Sequence, residues 1–209
     1  MIFEEVMILR QHFKSQVTFE EAIELFYAVL NTPEGAVVEV GSATGGTTII
    51  LIGAAEQVGK MVYSIDPYPE WFEGIAAEYT PGLMRSFRAE FKKNILDGPW
   101  KNIIQYDEDV STCVNKIPDN LSLVFIDSCH ELSLVQNEIK FLFPKLCANG
   151  LMYIHDVTSE IGQLSNTKEG GLFNIDNFFI DNKEMFLYSN IKNIEFLSGR
   201  RILCIHKMR

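Results

Sequence analysis

The feature that most constrains this chain is a short unit near its start. A β-branched run, AVVEVG (36–41), leads through a glycine-containing loop into TTIILIGAAEQVG (47–59), and a second apolar run, MVYSID (61–66), follows. The pattern predicts strand, loop, helix and strand, which is a βαβ unit. Parallel strands joined by a helix are covered on both faces, so the rest of the chain has to supply more elements of the same kind.

It does. NIIQY (102–106), LSLVFID (121–127) and LMYIHD (151–156) predict three more strands. Thr18-Phe19-Glu20-Glu21 is a capping box opening the helix FEEAIELFYAVL, which Asn31, Pro33 and Gly35 stop. Further helices are predicted over SFRAEFKKNI and over ELSLVQNEIKFLF, where Val135, Ile139 and Leu142 share a face. IEFLSGRRILCIHK (194–207) predicts two strands joined around Ser198-Gly199. The expected fold is α/β: a doubly wound, mostly parallel seven-stranded sheet with an antiparallel C-terminal strand. One domain is expected over 1–209, with a helical extension at 1–30 and an aromatic-rich lid at 67–90.

With 47% hydrophobic and 22% charged residues, the chain can fill a large core, which excludes global disorder. Its 28 acids against 18 Lys and Arg give a net charge of −10, which repels phosphate backbones and anionic lipid. Nucleic-acid and membrane partners are therefore not expected. The four cysteines form no CxxC pair and read as reduced thiols. The start, MIFEEVMILR, lacks a basic region before its apolar residues, and no apolar run reaches the ~18 residues of a membrane span. A cytoplasmic protein is expected; self-association is left open.

The loop VVEVGSATGGTT (37–48) carries the first functional signal. Gly41, Gly45 and Gly46 suit a tight turn where a ligand approaches the backbone. Asp66, at the end of the second strand, is placed to accept hydrogen bonds from ribose hydroxyls. The dinucleotide fingerprint fails at Ala43, and no Gly-Lys-Ser/Thr makes a P-loop. Glu39, two residues before the first glycine, can bind a cationic amine and not a pyrophosphate. The ligand expected has a ribose at one end and an amino acid at the other. A nicotinamide-dependent oxidoreductase is the rival reading, disfavoured by Ala43 and Glu39.

A second group sits at the ends of the fourth and fifth strands. VFIDSCHE (124–131) places Asp127 and His130 there, and YIHD (153–156) places His155 and Asp156. In open α/β sheets, ligands bind outside the carboxyl ends of the strands. Asp127, His155 and Asp156 could ligate a divalent metal such as Mg²⁺ or Mn²⁺, which would lower the pKa of an acceptor hydroxyl. Alternatively His130 acts alone as a general base. The two readings are compatible. His12 and His206 read as structural or surface residues.

These motifs, in this order over roughly residues 30–207, resemble the class I S-adenosylmethionine-dependent methyltransferases. The resemblance implies a Rossmann-like methyltransferase fold. It also implies cofactor contacts from Glu39, Gly41, Ser42, Gly45, Gly46, Asp66 and Asp127. IIQYDEDVSTCV (103–114) is similar to the family's adenine-flanking stretch, which implies Asp109 and Val110 beside the adenine, with Glu108 in place of the family's glycine. FIDSCHELSLVQNEIKFLFPKLCANGLMYIHD (125–156) is similar to a small-molecule O-methyltransferase subgroup. That implies His130 and Asp127 as catalytic residues and Asp127, His155 and Asp156 as metal ligands in relatives with a metal. Ser128, Leu132, Ala148-Asn149-Gly150 and His155 depart from the subgroup's pattern. The activity implied is methyl transfer to a hydroxyl of a small molecule, of sugar or phenolic type. A non-catalytic S-adenosylmethionine-binding protein is the third alternative.

Overall fold

The structure, a computed structural model, describes residues 1–68, 83–128, 132–155, 157–158, 163–164, 191–196 and 202–207. Two helices come first, α1 (Phe3–His12) and α2 (Phe19–Asn31). Then follow β1 (Ala36–Val40), α3 (Thr48–Val58), β2 (Val62–Ile65), α4 (Leu83–Phe91), β3 (Ile103–Tyr106) and a short helix α5 (Val110–Cys113). β4 (Leu121–Ile126), α6 (Leu132–Leu142) and β5 (Leu146–His155) come next. A two-residue pair, β6 (Val157–Thr158) with β7 (Gln163–Leu164), and the strands β8 (Ile191–Phe196) and β9 (Ile202–Lys207) complete the described elements.

Seven strands form one sheet in the order β3-β2-β1-β4-β5-β9-β8. The first five are mutually parallel, and β9 runs antiparallel to both β5 and β8. This is the fold expected from the sequence. Strand order reverses beside β1, where the chain goes outward to β2 and β3 and then returns to β4. Crevices for ligands open at such switch points.

Every residue of β1 and β4 is buried, as strands covered on both faces require. Val37, Leu123, Phe125 and Tyr153 face α1, α2 and α3. Val38, Val40, Val124, Ile126 and Ile154 face α5 and α6, meeting Val110, Val135, Ile139 and Leu142. α3 is buried around its whole circumference, from Ile49 to Ala55, because α1 and α2 cover the side that the sheet does not. The Thr18 capping box is present, with Glu21 N donating to Thr18 Oγ1 at 3.2 Å and Thr18 N donating to Glu21 Oε2 at 2.7 Å. α3 ends at Gly59 in the left-handed conformation, φ 70°.

Two local differences from the sequence reading stand out. β5 begins at Leu146, five residues before the expected Leu151, and pairs irregularly with β4, where Leu121 meets Leu146 and Leu123 meets Leu151. The intervening chain turns at Asn149, φ 61°. The helix read over SFRAEFKKNI is two pieces, α4 and a wider turn over Lys92–Leu96. Of the lid expected at 67–90, residues 69–82 lie outside the described residues. Among the described residues, no helix is long and apolar enough to cross a membrane.

Candidate functional site

Register brings the site together. Val40 pairs with Ile65 on one side and Ile126 on the other, and Ile126 pairs with Ile154. The next residues, Gly41, Asp66, Asp127 and His155, therefore emerge at one edge of the sheet. Backbone bonds hold three of them there: Gly41 N to Ile65 O (2.9 Å), Asp127 N to Val40 O (2.8 Å) and Asp66 N to Tyr106 O (3.1 Å).

The glycine loop lies across this edge. Gly41 has φ 90°, and a Cβ there would overlap the carbonyl oxygen of Asp127. At Gly46 a Cβ would overlap the backbone of Ser15, between α1 and α2. At both positions the close neighbour that excludes a side chain is the protein's own backbone. Thr44 Oγ1 donates to Phe13 O at 2.5 Å and Asn94 Nδ2 donates to Thr44 O at 2.8 Å, so the loop is held from two sides. Asp66 points at the loop. Its Oδ2 accepts from Ser42 N and Ala43 N, both at 3.0 Å, and its Oδ1 accepts from Tyr68 N at 2.9 Å. Burial raises the Asp66 pKa against the opposing pull of these three amides. Tyr68, buried, closes the turn by donating its hydroxyl to Ala43 O at 3.1 Å.

Glu39 lies beneath the loop and is 0% exposed. Its Oε2 accepts from Thr48 Oγ1 at 2.6 Å and from Ser64 Oγ at 3.0 Å. Its Oε1 has no hydrogen-bond partner. Ser42 in the loop is bonded in turn to Ser64. Burial pushes the Glu39 carboxyl up to about 8, against the two hydroxyl donors. Thr48 and Ser64 were not singled out by the sequence reading. Their signal was position: each is a hydroxyl on an element flanking the glycine loop.

Asp127 and His155 are neighbours, with His155 Nδ1 3.1 Å from Asp127 Oδ1. On its other side the ring meets an unexpected residue: His155 Nε2 lies 3.4 Å from Oε2 of Glu21, in the first turn of α2. The ring of Phe125 packs edge-on against the imidazole, centroids 6.0 Å apart. Glu21 is 2% and His155 4% exposed. Burial alone would raise the Glu21 pKa, but bonds from His155 and Thr18 outweigh it and bring it down to about 2. His130 and Asp156, expected as base and metal ligand, lie outside the described residues. Among the described residues, no group of three or more His, Cys, Asp or Glu is arranged to hold a metal.

Of the adenine-flanking pair, Asp109 is exposed at the start of α5, while Val110 is buried in the core against α6. Glu138 of α6, which the sequence reading passed over, reaches this edge. It accepts from Ser128 Oγ at 2.8 Å, and burial pushes its pKa up to about 8, with Asp109 and Asp66 adding to the rise. The edge is thus rich in carboxyl groups, a setting that favours a cationic ligand. A separate cleft of about 340 Å³ between α2, β5 and β9 is lined by Glu24, Tyr27, Tyr153, Cys204 and His206 and contains no residue of the glycine loop. Cys113 and Cys147 are free thiols.

Known proteins share this architecture. A solved S-adenosylmethionine-dependent O-methyltransferase of Thermotoga maritima superposes with TM-score 0.58 at 11% identity, over 92% of this chain and 66% of that one. A methyltransferase of Podospora anserina, solved with S-adenosylhomocysteine, gives TM-score 0.64 at 10% identity, over 100% and 89%. MycE, a methyltransferase of mycinamycin biosynthesis solved with Mg and S-adenosylhomocysteine, gives 0.62 at 14%, over 98% of this chain and 55% of its own. This chain thus spans just under two thirds of the Thermotoga protein and about half of MycE. At such identities the likeness establishes the fold. No curated protein matches the chain by sequence. A family profile described as a methyltransferase domain matches residues 38–157, more than half of the chain and the segment that builds the site. The chain belongs to this methyltransferase-domain family.

Proposed function

We propose that this chain is an S-adenosylmethionine-dependent O-methyltransferase acting on a hydroxyl of a small molecule in the cytoplasm. The observation that carries the reading is the unpartnered Oε1 of Glu39, fully buried beneath the glycine loop. A buried acceptor without a donor is costly, and a cationic amino group would satisfy it. That is the chemistry of the amino-acid end of S-adenosylmethionine, and the residues present fit it.

When bound, this cofactor supplies a sulfonium methyl group. Glu39 holds the ammonium and, so paired, favours its ionised form. Asp66 spends three of its roughly four acceptor positions on loop amides and a turn amide, leaving Oδ1 able to take a ribose hydroxyl. It shapes the loop and reads the sugar together. Gly41, Ser42, Gly45 and Gly46 line the amino-acid end, with Asp109 toward the adenine, while Val110 packs in the core behind it. Asp127 stands where the acceptor hydroxyl has to align with the methyl, and His130 takes the hydroxyl proton. The helices of 1–30 are an extension of the one domain. MycE contains Mg. The donor chemistry here does not fit His155 as a metal ligand, because both its nitrogens face carboxylates.

Calorimetry with S-adenosylhomocysteine tests the reading. Binding is expected, and Asp66→Ala should weaken it about tenfold, the loss of one or two charge-assisted hydrogen bonds. No heat at about 1 mM ligand, a Kd of the weakest useful class, would overturn the cofactor assignment. Binding of reduced nicotinamide cofactor in its place would favour the oxidoreductase reading.

A further inference from the structure

We infer that the imidazole of His155 stands as a fixed cation between the carboxylates of Glu21 and Asp127, which makes Glu21 a positioning residue for Asp127 and His155 no metal ligand. The inference rests on the reading above that Asp127 lies at the methyl-transfer site.

The geometry is direct. His155 Nδ1 lies 3.1 Å from Asp127 Oδ1 and Nε2 lies 3.4 Å from Glu21 Oε2. A neutral imidazole has one N–H and one lone pair. Here a lone pair on either nitrogen would face a carboxylate oxygen, which accepts and cannot donate. Both nitrogens therefore carry hydrogen and donate. A metal ligand needs a nitrogen lone pair directed at the ion, and neither nitrogen has one to give.

The arrangement is also built to stay. Glu21 cannot swing away cheaply, because Thr18 N holds the same Oε2 at 2.7 Å and the capping box fixes the first turn of α2. The helix is anchored in turn by Ala22, Leu25, Phe26 and Val29, all buried. On the sheet side, His155 sits opposite Asp127 by register and is flanked by Phe125. Positive charge between them stabilises two little-exposed carboxylates as anions. A histidine supplies it without an ion, and it ties the N-terminal helix to the strand end that carries Asp127.

The test uses the full chain with nitrogen-15 histidine, studied by NMR at neutral pH. The His155 signals are assigned through the ring contact with Phe125 and confirmed by their loss in His155→Gln. Both ring nitrogens of His155 should appear as N–H and stay in place when Mg²⁺ or Zn²⁺ is added. A ring nitrogen without hydrogen, or one that moves on adding either metal, would overturn the inference. In Glu21→Gln the His155 Nε2 signal and the Asp127 side-chain carboxyl carbon signal should both move, whereas an unmoved Asp127 signal would refute the positioning role. S-adenosylhomocysteine calorimetry on the same wild-type sample separates the two ideas. Absent binding would sink the methyltransferase reading while leaving the nitrogen signals to decide this one.

Discussion

Replacing Glu39 by glutamine should change how stability depends on pH, and the size of the change follows from burial. In the unfolded chain this carboxyl ionises near its ordinary value of 4.5, whereas in the folded protein it holds its proton up to about 8. Between those values the folded state binds the extra proton, so raising the pH favours unfolding. The contribution of Glu39 is fully present below pH 4.5 and is lost as pH rises to about 8. The loss is about 1.4 kcal/mol for each pH unit crossed, hence about 3 kcal/mol by neutrality and about 5 kcal/mol in all. The glutamine side chain would not titrate. Its amide oxygen can still accept from Thr48 and Ser64, and its NH₂ would occupy the place of the unpartnered Oε1, at a cost of about 1–3 kcal/mol that is the same at every pH. The diagnostic is therefore the slope and not the sign at any one pH. Urea unfolding of both proteins from about pH 5 to pH 8 should show the variant gaining on the wild type by about 1.4 kcal/mol per unit. A difference that stays flat across that range would refute the placement of a protonated carboxyl at this position. On the proposed function, the same variant should bind S-adenosylhomocysteine more weakly, because the partner of the ammonium is gone.

Three further outcomes are expected. Gly41→Ala should destabilise the protein by about 3 kcal/mol or more, since φ is 90° and the added methyl would overlap the Asp127 carbonyl; a thermal midpoint unchanged from wild type would refute this. Thr18→Ala should cost about 1 kcal/mol by chemical denaturation, through loss of the hydroxyl that accepts from Glu21 N, and an effect below about 0.3 kcal/mol would speak against the cap. Ser64→Ala removes one of the two hydroxyls that donate to Glu39 and should move the pKa of that carboxyl further up, which carbon-13 NMR of the side-chain carboxyl reads directly.

Local patterning carried most of the architecture. Strand β1 and helix α3 were legible because β1 is a valine-rich run from Val37 to Val40, interrupted by Glu39, and because Gly59 marks a helix end. The early start of β5 was not, since Leu146 to Gly150 has no alternating pattern and its pairing with Leu121 is decided by the neighbouring strand. Glu21 shows why the site was only partly visible. In sequence it was the last residue of a capping box, and it is that, but it also meets a histidine 134 positions later. Glu138 read as one more polar residue between Val135 and Ile139, and only the placement of α6 against β4 brings it to Ser128. The glycines were recognised as a tight turn. That Asp127 and Ser15 are what press on Gly41 and Gly46 is a tertiary fact that no local spacing encodes.

Helix α3 has no water-facing side from Ile49 to Ala55, and a Cβ at its Gly53 would overlap the side chain of Val6 in α1. During synthesis the first two helices leave the ribosome before α3, so a surface able to receive its outer side already exists when Ile49 to Ile52 emerge. A recombinant protein trimmed of its first thirty residues would instead present that oily cylinder to the solvent, and it would clump before the sheet was finished.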